Sequence, residues 1–288
     1  MATPITSGAA AIIRQYFVEG FFLNGAQGTK SHNPSGVLLK AVIMNGGQVV
    51  DYTDKGIFFS KKSEMYDQST NMGRVSLIDT LPLAGKNNFN LKFEDGARLE
   101  VKKQDTYKIR ISHSSSCDSK ELRITVAWAG KHYISCITII FISIKFLLRL
   151  NSALLFCTLK LSTDPPGFVG CRNCLRNDLD LFVVDMSTRR YFYPNGKFGR
   201  DRYNNVERVI LSDLRDGDEF SINVYARNLD TRDQKYSIVM TGCFDFTEKL
   251  VNKIPTNDPP KSESSSVMHV VSFSRFFVTL GLYFVLAW

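Results

Sequence analysis

The sequence predicts a helical N-terminal part followed by an all-β, jelly-roll-like sandwich. Two observations separate these parts of the 288-residue chain. Over residues 1–82, apolar side chains recur at helical spacing, and proline and glycine bracket an apolar run. Over residues 83–250, short segments alternate apolar and polar side chains between Gly, Asp and Asn. Such alternation is typical of antiparallel strands with one buried face.

The first predicted helix begins near Pro4, because proline is tolerated in the first helical turn, where its missing N–H costs nothing. A run of small residues, 8–11, follows and suits close packing in a core. Ile12, Ile13, Tyr16 and Phe17 then continue at roughly helical spacing.

The second predicted helix spans residues 36–45. Pro34 lies just before it and Gly46 just after it, which is the expected asymmetry of helix ends. The residues between them are almost all apolar.

The sandwich is predicted from alternating segments with turn residues between them. They number about eight, which is the strand count of a jelly roll. The segments are 89–93, 99–101, 107–111, 122–126, 179–183, 206–210, 220–225 and 236–240.

The first residues of the chain resemble the helix that follows the nucleophilic serine in subtilisin-like serine proteases, peptidase family S8. Met1, Ala2, Thr3, Pro4 and Gly8 carry this motif, and alanines follow Gly8. The resemblance implies that the nucleophile lies immediately before Met1, so that no catalytic residue is placed in this chain. At the N-terminus of such a helix, backbone N–H groups stabilise an oxyanion.

Two further segments are similar to the same family. The Pro-Ser-Gly-Val-Leu-Leu-Lys-Ala segment at 34–41 resembles the family's Pro-Ser-x-x-Leu-Lys-Ala helix, which comes after the nucleophile helix. Residues 72–77 resemble the strand that closes the catalytic domain. The resemblance thus implies that residues 1–82 are an α/β remnant, the C-terminal part of a subtilisin-like catalytic domain.

The later segments resemble the β-sandwich that follows the catalytic domain in one group of these proteases. Asp-Pro-Pro at 164–166, Asn-Asp-Leu-Asp-Leu at 177–181 and the Asn-Asn-Val-Glu stretch at 204–207 occur in the order of that group. Each motif is short, and their order along the chain gives the resemblance its strength.

Residues 130–163 interrupt this pattern with an apolar segment that contains no Asp, Glu or Pro. A membrane span is disfavoured, because Lys145 and Arg149 fall within it and it would thread one sheet through a bilayer. A genuine insertion is a second alternative. We favour a retained intron, since codons for Gly130-Lys131 and Thr163-Asp164 can supply splice-donor-like and acceptor-like sequences that keep the reading frame.

The charge does not argue for nucleic acid as a partner. The net charge is +8, but four of the basic residues lie in segment 130–163, and subtracting them leaves +4.

Four of the six cysteines lie outside this segment, at 117, 171, 174 and 243. The lone Cys171-x-x-Cys174 lacks a second ligand pair for zinc. Disulfides are favoured if the protein is secreted, with the pairing open.

Asp178, Asp180 and Asp201, with Asn204 and Asn205, are the candidate metal ligands. Their oxygens are of the kind that calcium prefers, so calcium is the possible cofactor. The favoured alternative is that they cap turns, as Asp and Asn commonly do.

The C-terminal region reads as a linker and an apolar tail. Residues 251–266 are rich in proline and serine, whereas residues 267–288 are mostly apolar. The tail is short for a membrane span, and a GPI signal or neither is also open. The expected localisation is secreted or membrane-associated, with the tail as the possible membrane contact.

Two functions follow from these patterns. The first is a subtilisin-like serine endopeptidase acting on protein or peptide substrates, present here as a truncated chain that is inactive alone because the triad is missing. The alternative is a non-catalytic β-sandwich module that binds protein or glycan and is anchored at a membrane.

Overall fold

A computed structural model describes residues 2–48, 50, 71–114, 117, 119–129 and 175–255. Within these residues the chain forms two α-helices and nine strands. The helices are α1 (Ala2–Val18) and α2 (Gly36–Asn45). The strands are β1 (Asn90–Glu100), β2 (Gln104–Ile111), β3 (Leu122–Trp128), β4 (Asp178–Asp185), β5 (Tyr191–Phe192), β6 (Val206–Leu211), β7 (Glu219–Asn228), β8 (Asp233–Gly242) and β9 (Phe244–Lys253).

The strands form two sheets that pack face to face. One sheet has four strands in the order β1-β8-β3-β6, and the other has five in the order β5-β4-β7-β2-β9. Every strand pair in the described ranges is antiparallel. Fully buried apolar side chains from both sheets fill the space between them, among them Ile109, Ile124, Leu181, Ile222 and Ile238.

The two helices cover the outer face of the four-stranded sheet. Ile13 and Phe17 of α1 and Val42 of α2 are fully buried in a second apolar cluster, which includes Ala127 of β3 and Val239 of β8. The buried residues of α1 lie about one or two turns apart, so they form one face of the helix.

The backbone groups at both ends of α2 have hydrogen-bond partners. At its start, the Ser35 hydroxyl accepts a hydrogen bond from the Leu38 N–H at 3.0 Å, an N-cap. At its end, Arg208 Nη1 of β6 donates to the carbonyl oxygens of Met44 and Gly47, at 2.7 and 3.0 Å. A cation at this end of the helix complements the helix dipole.

A buried amide fixes α2 against the sheet. Asn45 is fully buried. Its Nδ2 donates to the hydroxyls of Thr80 and Thr241, at 3.1 and 2.8 Å, and its Oδ1 accepts from Thr125 at 3.0 Å. Because buried polar groups without partners are costly, these bonds select one position of the helix on the sheet.

The prediction of an α/β remnant at the N-terminus is wrong. The described residues are mostly antiparallel sheet, and their only two α-helices pack on that sheet rather than on a parallel one. Residues 72–77, expected as a closing strand, contribute a single bridge between Gln48 and Arg74. The local patterns of both helices were correct, but which sheet covers them depends on distant residues. The domain boundaries remain predictions.

The sandwich part is consistent with the sequence. The eight alternating segments all lie in or overlap observed strands, although the first two merge into β1, which bends at a bulge between Asp95 and Ala97 where Gly96 has a φ of 77°. β5 and β9 were not predicted. β5 has two residues, and β9 buries only Phe244, so neither presents a clear apolar pattern.

A disulfide joins Cys117, in the connection from β2 to β3, to Cys243, between β8 and β9. The bond therefore closes one end of the sandwich, where strands of both sheets meet. It settles the partner of two cysteines whose pairing the sequence left open. Cys171 and Cys174 lie outside the described residues.

Candidate functional site

The residues of the N-terminal motif lie in the first half of α1. Ala2, Thr3, Pro4 and Gly8 are all exposed, and Met1 lies outside the described residues. Ser7, the serine next to this motif, is exposed as well. In the described part of the chain, its hydroxyl makes no hydrogen bond to an acidic or basic side chain. The motif residues thus stay a prediction, without a catalytic partner among the residues that the structure describes.

One cluster brings together the residue types of a serine protease triad, and sequence reasoning missed it. Asp95 lies at the bulge of β1. His32 Nε2 is 3.1 Å from its Oδ2, and the Ser35 backbone N–H donates to the same oxygen at 2.8 Å. The hydroxyls of Ser35 and Ser237 donate to its other oxygen, Oδ1, at 2.5 and 2.8 Å.

The order of these contacts differs from that of a catalytic triad. In a triad the serine bonds to histidine, and the acid orients the histidine from behind. Here the aspartate is in the centre, and Ser35 and His32 contact it separately. Ser35 is also the N-cap of α2, so its oxygen already accepts a backbone N–H. The hydrogen bonds of the described cluster therefore connect the α1–α2 connection to β1 and β8.

The electrostatics of Asp95 agree with this role. Burial acts to raise the pKa of its carboxyl, but the hydrogen bonds from Ser35, Ser237 and His32 outweigh burial and lower it below its ordinary value. A carboxylate that stays ionised and accepts four bonds stabilises the folded chain. Beside it lies a cavity of about 370 Å³, lined by Arg14, Ser35, Val37 and Lys235 among others.

The predicted calcium ligands lie at one edge of the sandwich, and each contacts a basic side chain. Asp178 is 3.8 Å from Arg200, and Asp180 Oδ2 is 2.5 Å from Arg227 Nε. Burial, followed by the neighbouring charge of Asp180, raises the pKa of Asp178 to about 6. Burial likewise raises the pKa of Asp180, although Arg227 opposes it.

Asp201 belongs to a separate turn. Its Oδ1 is 2.6 Å from Lys197 Nζ and accepts the Tyr203 N–H at 3.0 Å, while its Oδ2 accepts from the side-chain amides of Asn195 and Asn204. These are the contacts of an aspartate that caps a turn, which was the favoured alternative to a metal ligand. Lys197 and these amides lower the pKa of Asp201 despite its burial, which acts to raise it.

Glu207 is the acidic residue of this region that the sequence reasoning did not select. It is fully buried on β6, and its Oε2 accepts the Leu181 N–H of β4 at 2.5 Å. β5 pairs only with residues 183 and 184 of β4. The Glu207 carboxyl therefore accepts a hydrogen bond from a backbone N–H of β4 that the short strand β5 does not reach. Burial, reinforced by the charge of Asp180, raises its pKa well above the ordinary value.

The described part of the chain contains no group of three or more His, Cys, Asp or Glu side chains that could hold a metal ion. Buried oxygens without a partner remain on Asp178, Asp180 and Glu207. Calcium binding by Asp178, Asp180 and Asp201 therefore stays a prediction that the geometry does not favour.

The connection between β4 and β6 exposes aromatic side chains. Phe198 is 99% exposed and Tyr203 is 67% exposed. Tyr191 and Tyr193 stack with centroids 6.4 Å apart, and Lys197 lies 5.2 Å from the ring centroid of Tyr203. Exposed aromatic rings offer apolar faces for a partner.

No protein-family profile matches the chain. Relatives at low identity are found in Dictyostelium discoideum, and each is named a serine protease/ABC transporter B family protein. The tagD protein is 25% identical over 293 residues, covering 90% of this chain and 15% of the relative. The tagB protein is 23% identical over 268 residues, covering 84% of this chain and 13% of the relative. The chain thus spans about one seventh of their length.

These relatives support a protease-related family for this chain. None of the helices in the described ranges is long and apolar enough to cross a membrane. The apolar segment 130–163 and the tail 267–288 lie outside the described residues, as does most of the linker 251–266. Their assignments as a retained intron, a membrane contact or a linker stay predictions.

Proposed function

We propose that this chain is the accessory β-sandwich part of a subtilisin-like serine endopeptidase and does not hydrolyse peptides alone. The observation that carries the proposal is the similarity to proteins named serine proteases over 83–90% of the chain, although it spans only 12–15% of their length. The ordered motifs at 177–181 and 204–207 support the assignment to the subtilisin-like group.

The strand orders support a jelly roll as the form of this sandwich. β1-β8-β3-β6 faces β5-β4-β7-β2, with β9 added beside β2. Eight strands divided between two facing sheets in these orders are what a jelly roll would require. In the proposed protease the sandwich contributes stability and positioning, while the acyl-transfer chemistry belongs to residues that this chain does not contribute.

The first test is labelling with a fluorophosphonate probe, which reacts with activated serines. We expect no labelling of the purified chain and no hydrolysis of a peptide library, because the Ser35 hydroxyl contacts Asp95 and no histidine within the described residues. A Ser35→Ala variant and a Ser7→Ala variant are the matched controls. Labelling that disappears in one of these variants would contradict the proposed inactivity.

The second test addresses the family. The matched segment of the tagD protein is replaced by this chain, and peptide hydrolysis by the purified chimera is compared with that of the parent and of a chimera carrying an unrelated β-sandwich. We expect activity in the first chimera and loss in the second. Equal loss in both, with both proteins folded, would remove the support for the accessory role.

A second candidate function is a binding module without catalysis, which the exposed aromatic side chains favour. A binding role predicts that Phe198→Ala and Tyr203→Ala weaken retention on an immobilised glycan or protein array. Ile5→Ala is the matched control, because Ile5 is 70% exposed but lies on α1. Unchanged retention in both aromatic variants would reject this candidate for that surface.

A further inference from the structure

A chain of four oxygen-bearing side chains crosses the sandwich between the two sheets. Tyr107 OH is 2.8 Å from Glu94 Oε2 and 2.6 Å from Tyr236 OH. Tyr236 OH is in turn 2.6 Å from Asp105 Oδ2. The four residues come from β1, β2 and β8, so three consecutive oxygen–oxygen contacts connect both sheets.

Strand β9 contacts the two carboxyl groups at the ends of this series of side chains. Lys249 Nζ forms an ion pair with Glu94, and the Asn252 backbone N–H donates to Asp105 Oδ1 at 2.7 Å. β9 is an edge strand with one buried side chain, Phe244. Its attachment beyond the ladder to β2 thus depends substantially on these polar contacts.

The number of hydroxyl and carboxyl hydrogens on these four side chains determines whether all three oxygen–oxygen contacts are hydrogen bonds. Each contact at 2.6–2.8 Å requires one hydrogen between its two oxygens. The two tyrosines supply one each. If Glu94 and Asp105 are both ionised, the hydroxyls donate outward and the two phenol oxygens face each other without a hydrogen. A third hydrogen is therefore needed.

Asp105 is the residue suited to hold it. Glu94 is 31% exposed and already forms an ion pair with Lys249. Asp105 is fully buried, and its other oxygen is already occupied by the Asn252 N–H. β7 pairs with β2 at this point through Val224, which carries no charge.

We propose that Asp105 is protonated in the folded protein, and that this proton fastens β9 to the sandwich as a pH-sensitive lock. The Asp105 hydroxyl donates to Tyr236, Tyr236 donates to Tyr107, and Tyr107 donates to the ionised Glu94, which Lys249 neutralises. Every contact then has one hydrogen. Loss of the proton leaves one contact unbonded at the centre of the sandwich.

The direction of the pH effect follows from the environment of the carboxyl. Burial, opposed by Tyr236, Asn252 and Lys249, raises the pKa of Asp105 above its ordinary value. Burial also raises the pKa of both tyrosines, which keeps their hydroxyls protonated. The lock therefore stabilises β9 fully below the ordinary aspartate pKa, and its contribution is lost as the pH rises through the raised one.

The test follows the Asp105 carboxyl carbon by NMR, assigned by its absence in Asp105→Asn. We expect titration above the ordinary aspartate range, and we expect Tyr107→Phe to move it downward. Without the Tyr107 hydroxyl, one contact and one phenol hydrogen remain, so Tyr236 is free to donate to an ionised Asp105. Tyr16→Phe is the control, because Tyr16 OH donates to the distant Pro82 oxygen.

Hydrogen exchange of the β9 amides measures how strongly the proton on Asp105 stabilises β9. After correction for intrinsic exchange rates, protection of the β9 amides is expected to fall up to roughly tenfold as the pH rises, the effect of losing one ordinary hydrogen bond. Asp105→Asn should abolish this pH dependence, because its amide donates at every pH. An Asp105 titration at or below the ordinary range, or one that Tyr107→Phe leaves unmoved, would overturn the proposal.

Discussion

The two faces of the four-stranded sheet are buried by different partners. On β8, Ile238 and its neighbour Val239 are both fully buried, yet Ile238 packs between the sheets and Val239 packs beneath the helices. The inner face meets a regular antiparallel sheet, whereas the outer face meets two helices, of which α2 is held by hydrogen bonds of Asn45 and Arg208. A strand buried on both faces is apolar at consecutive positions, which explains the three consecutive apolar residues at 238–240 of β8.

The difference teaches how each layer is specified. The inner layer depends on many interchangeable aliphatic side chains. The outer layer depends on a few large side chains and on directional hydrogen bonds: Phe17 packs edge-to-face on Phe93 of β1 with centroids 4.9 Å apart. The following predictions ask whether these layers unfold together.

The largest expected effect comes from Phe17→Ala. Phe17 is fully buried under the sheet, and removal of a buried phenylalanine costs about 3–5 kcal/mol. If both layers form one cooperative unit, urea denaturation should show one transition at a lower midpoint. Ile12→Ala on the same helix is the control, since Ile12 is 55% exposed and should change stability by roughly 0.5 kcal/mol or less.

Separate behaviour of the layers would contradict this expectation. A Phe17→Ala variant in which the β-sheet signal in circular dichroism keeps its midpoint, while the helical signal is lost, would show that the helical layer is an independent addition to the sandwich.

The second-largest loss of stability is expected from removing the disulfide, which lies in the inner layer. Cys117 and Cys243 are 126 residues apart, and a bond that closes a loop this long contributes about 2–4 kcal/mol. The double variant Cys117→Ala/Cys243→Ala should therefore melt at a lower temperature, and reductant should have no additional effect on it. A wild-type melting temperature that does not respond to reductant would argue against the bond in solution.

The sequence predicted elements better than their partners. Pro34 and Gly46 bracketed α2 correctly, and the alternating segments located most strands. The contact between Ser35 and Asp95 spans 60 residues, and that between Tyr236 and Asp105 spans 131. Local spacing carries no information on such pairs, because they depend on strand order. The α/β remnant was expected from the family resemblance, and it is wrong because the sheet that covers both helices in the described residues is likewise set by distant parts of the chain.

Charged residues of the two layers should respond to pH in opposite directions. Asp178 has a raised pKa of about 6 against an ordinary 3.8, so its stabilising contribution is present below 3.8 and is lost as the pH rises to about 6. Asp95 has a lowered pKa, so its contribution is present above 3.8 and is lost as the pH falls through its folded value.

Unfolding free energies measured in urea from acid to neutral pH test this pair. Asp178→Asn should remove the loss of stability between about pH 4 and 6, whereas Asp95→Asn should remove part of the loss at acid pH. Each variant serves as the control for the other. The same pH profile in both variants would mean that neither carboxyl titrates as its contacts imply.

The smallest expected effect concerns calcium. Asp178, Asp180 and Asp201 pair with Arg200, Arg227 and Lys197, so a calcium ion would have to displace three basic side chains. One oxygen each of Asp178 and Asp180 has no hydrogen-bond partner, but the paired oxygens would still have to exchange a basic side chain for the ion. A ligand that binds the folded state raises its stability in proportion to the logarithm of its concentration. We therefore expect the melting temperature to be the same in calcium and in chelator. A rise that scales with calcium concentration and disappears in Asp180→Asn would establish the predicted site instead.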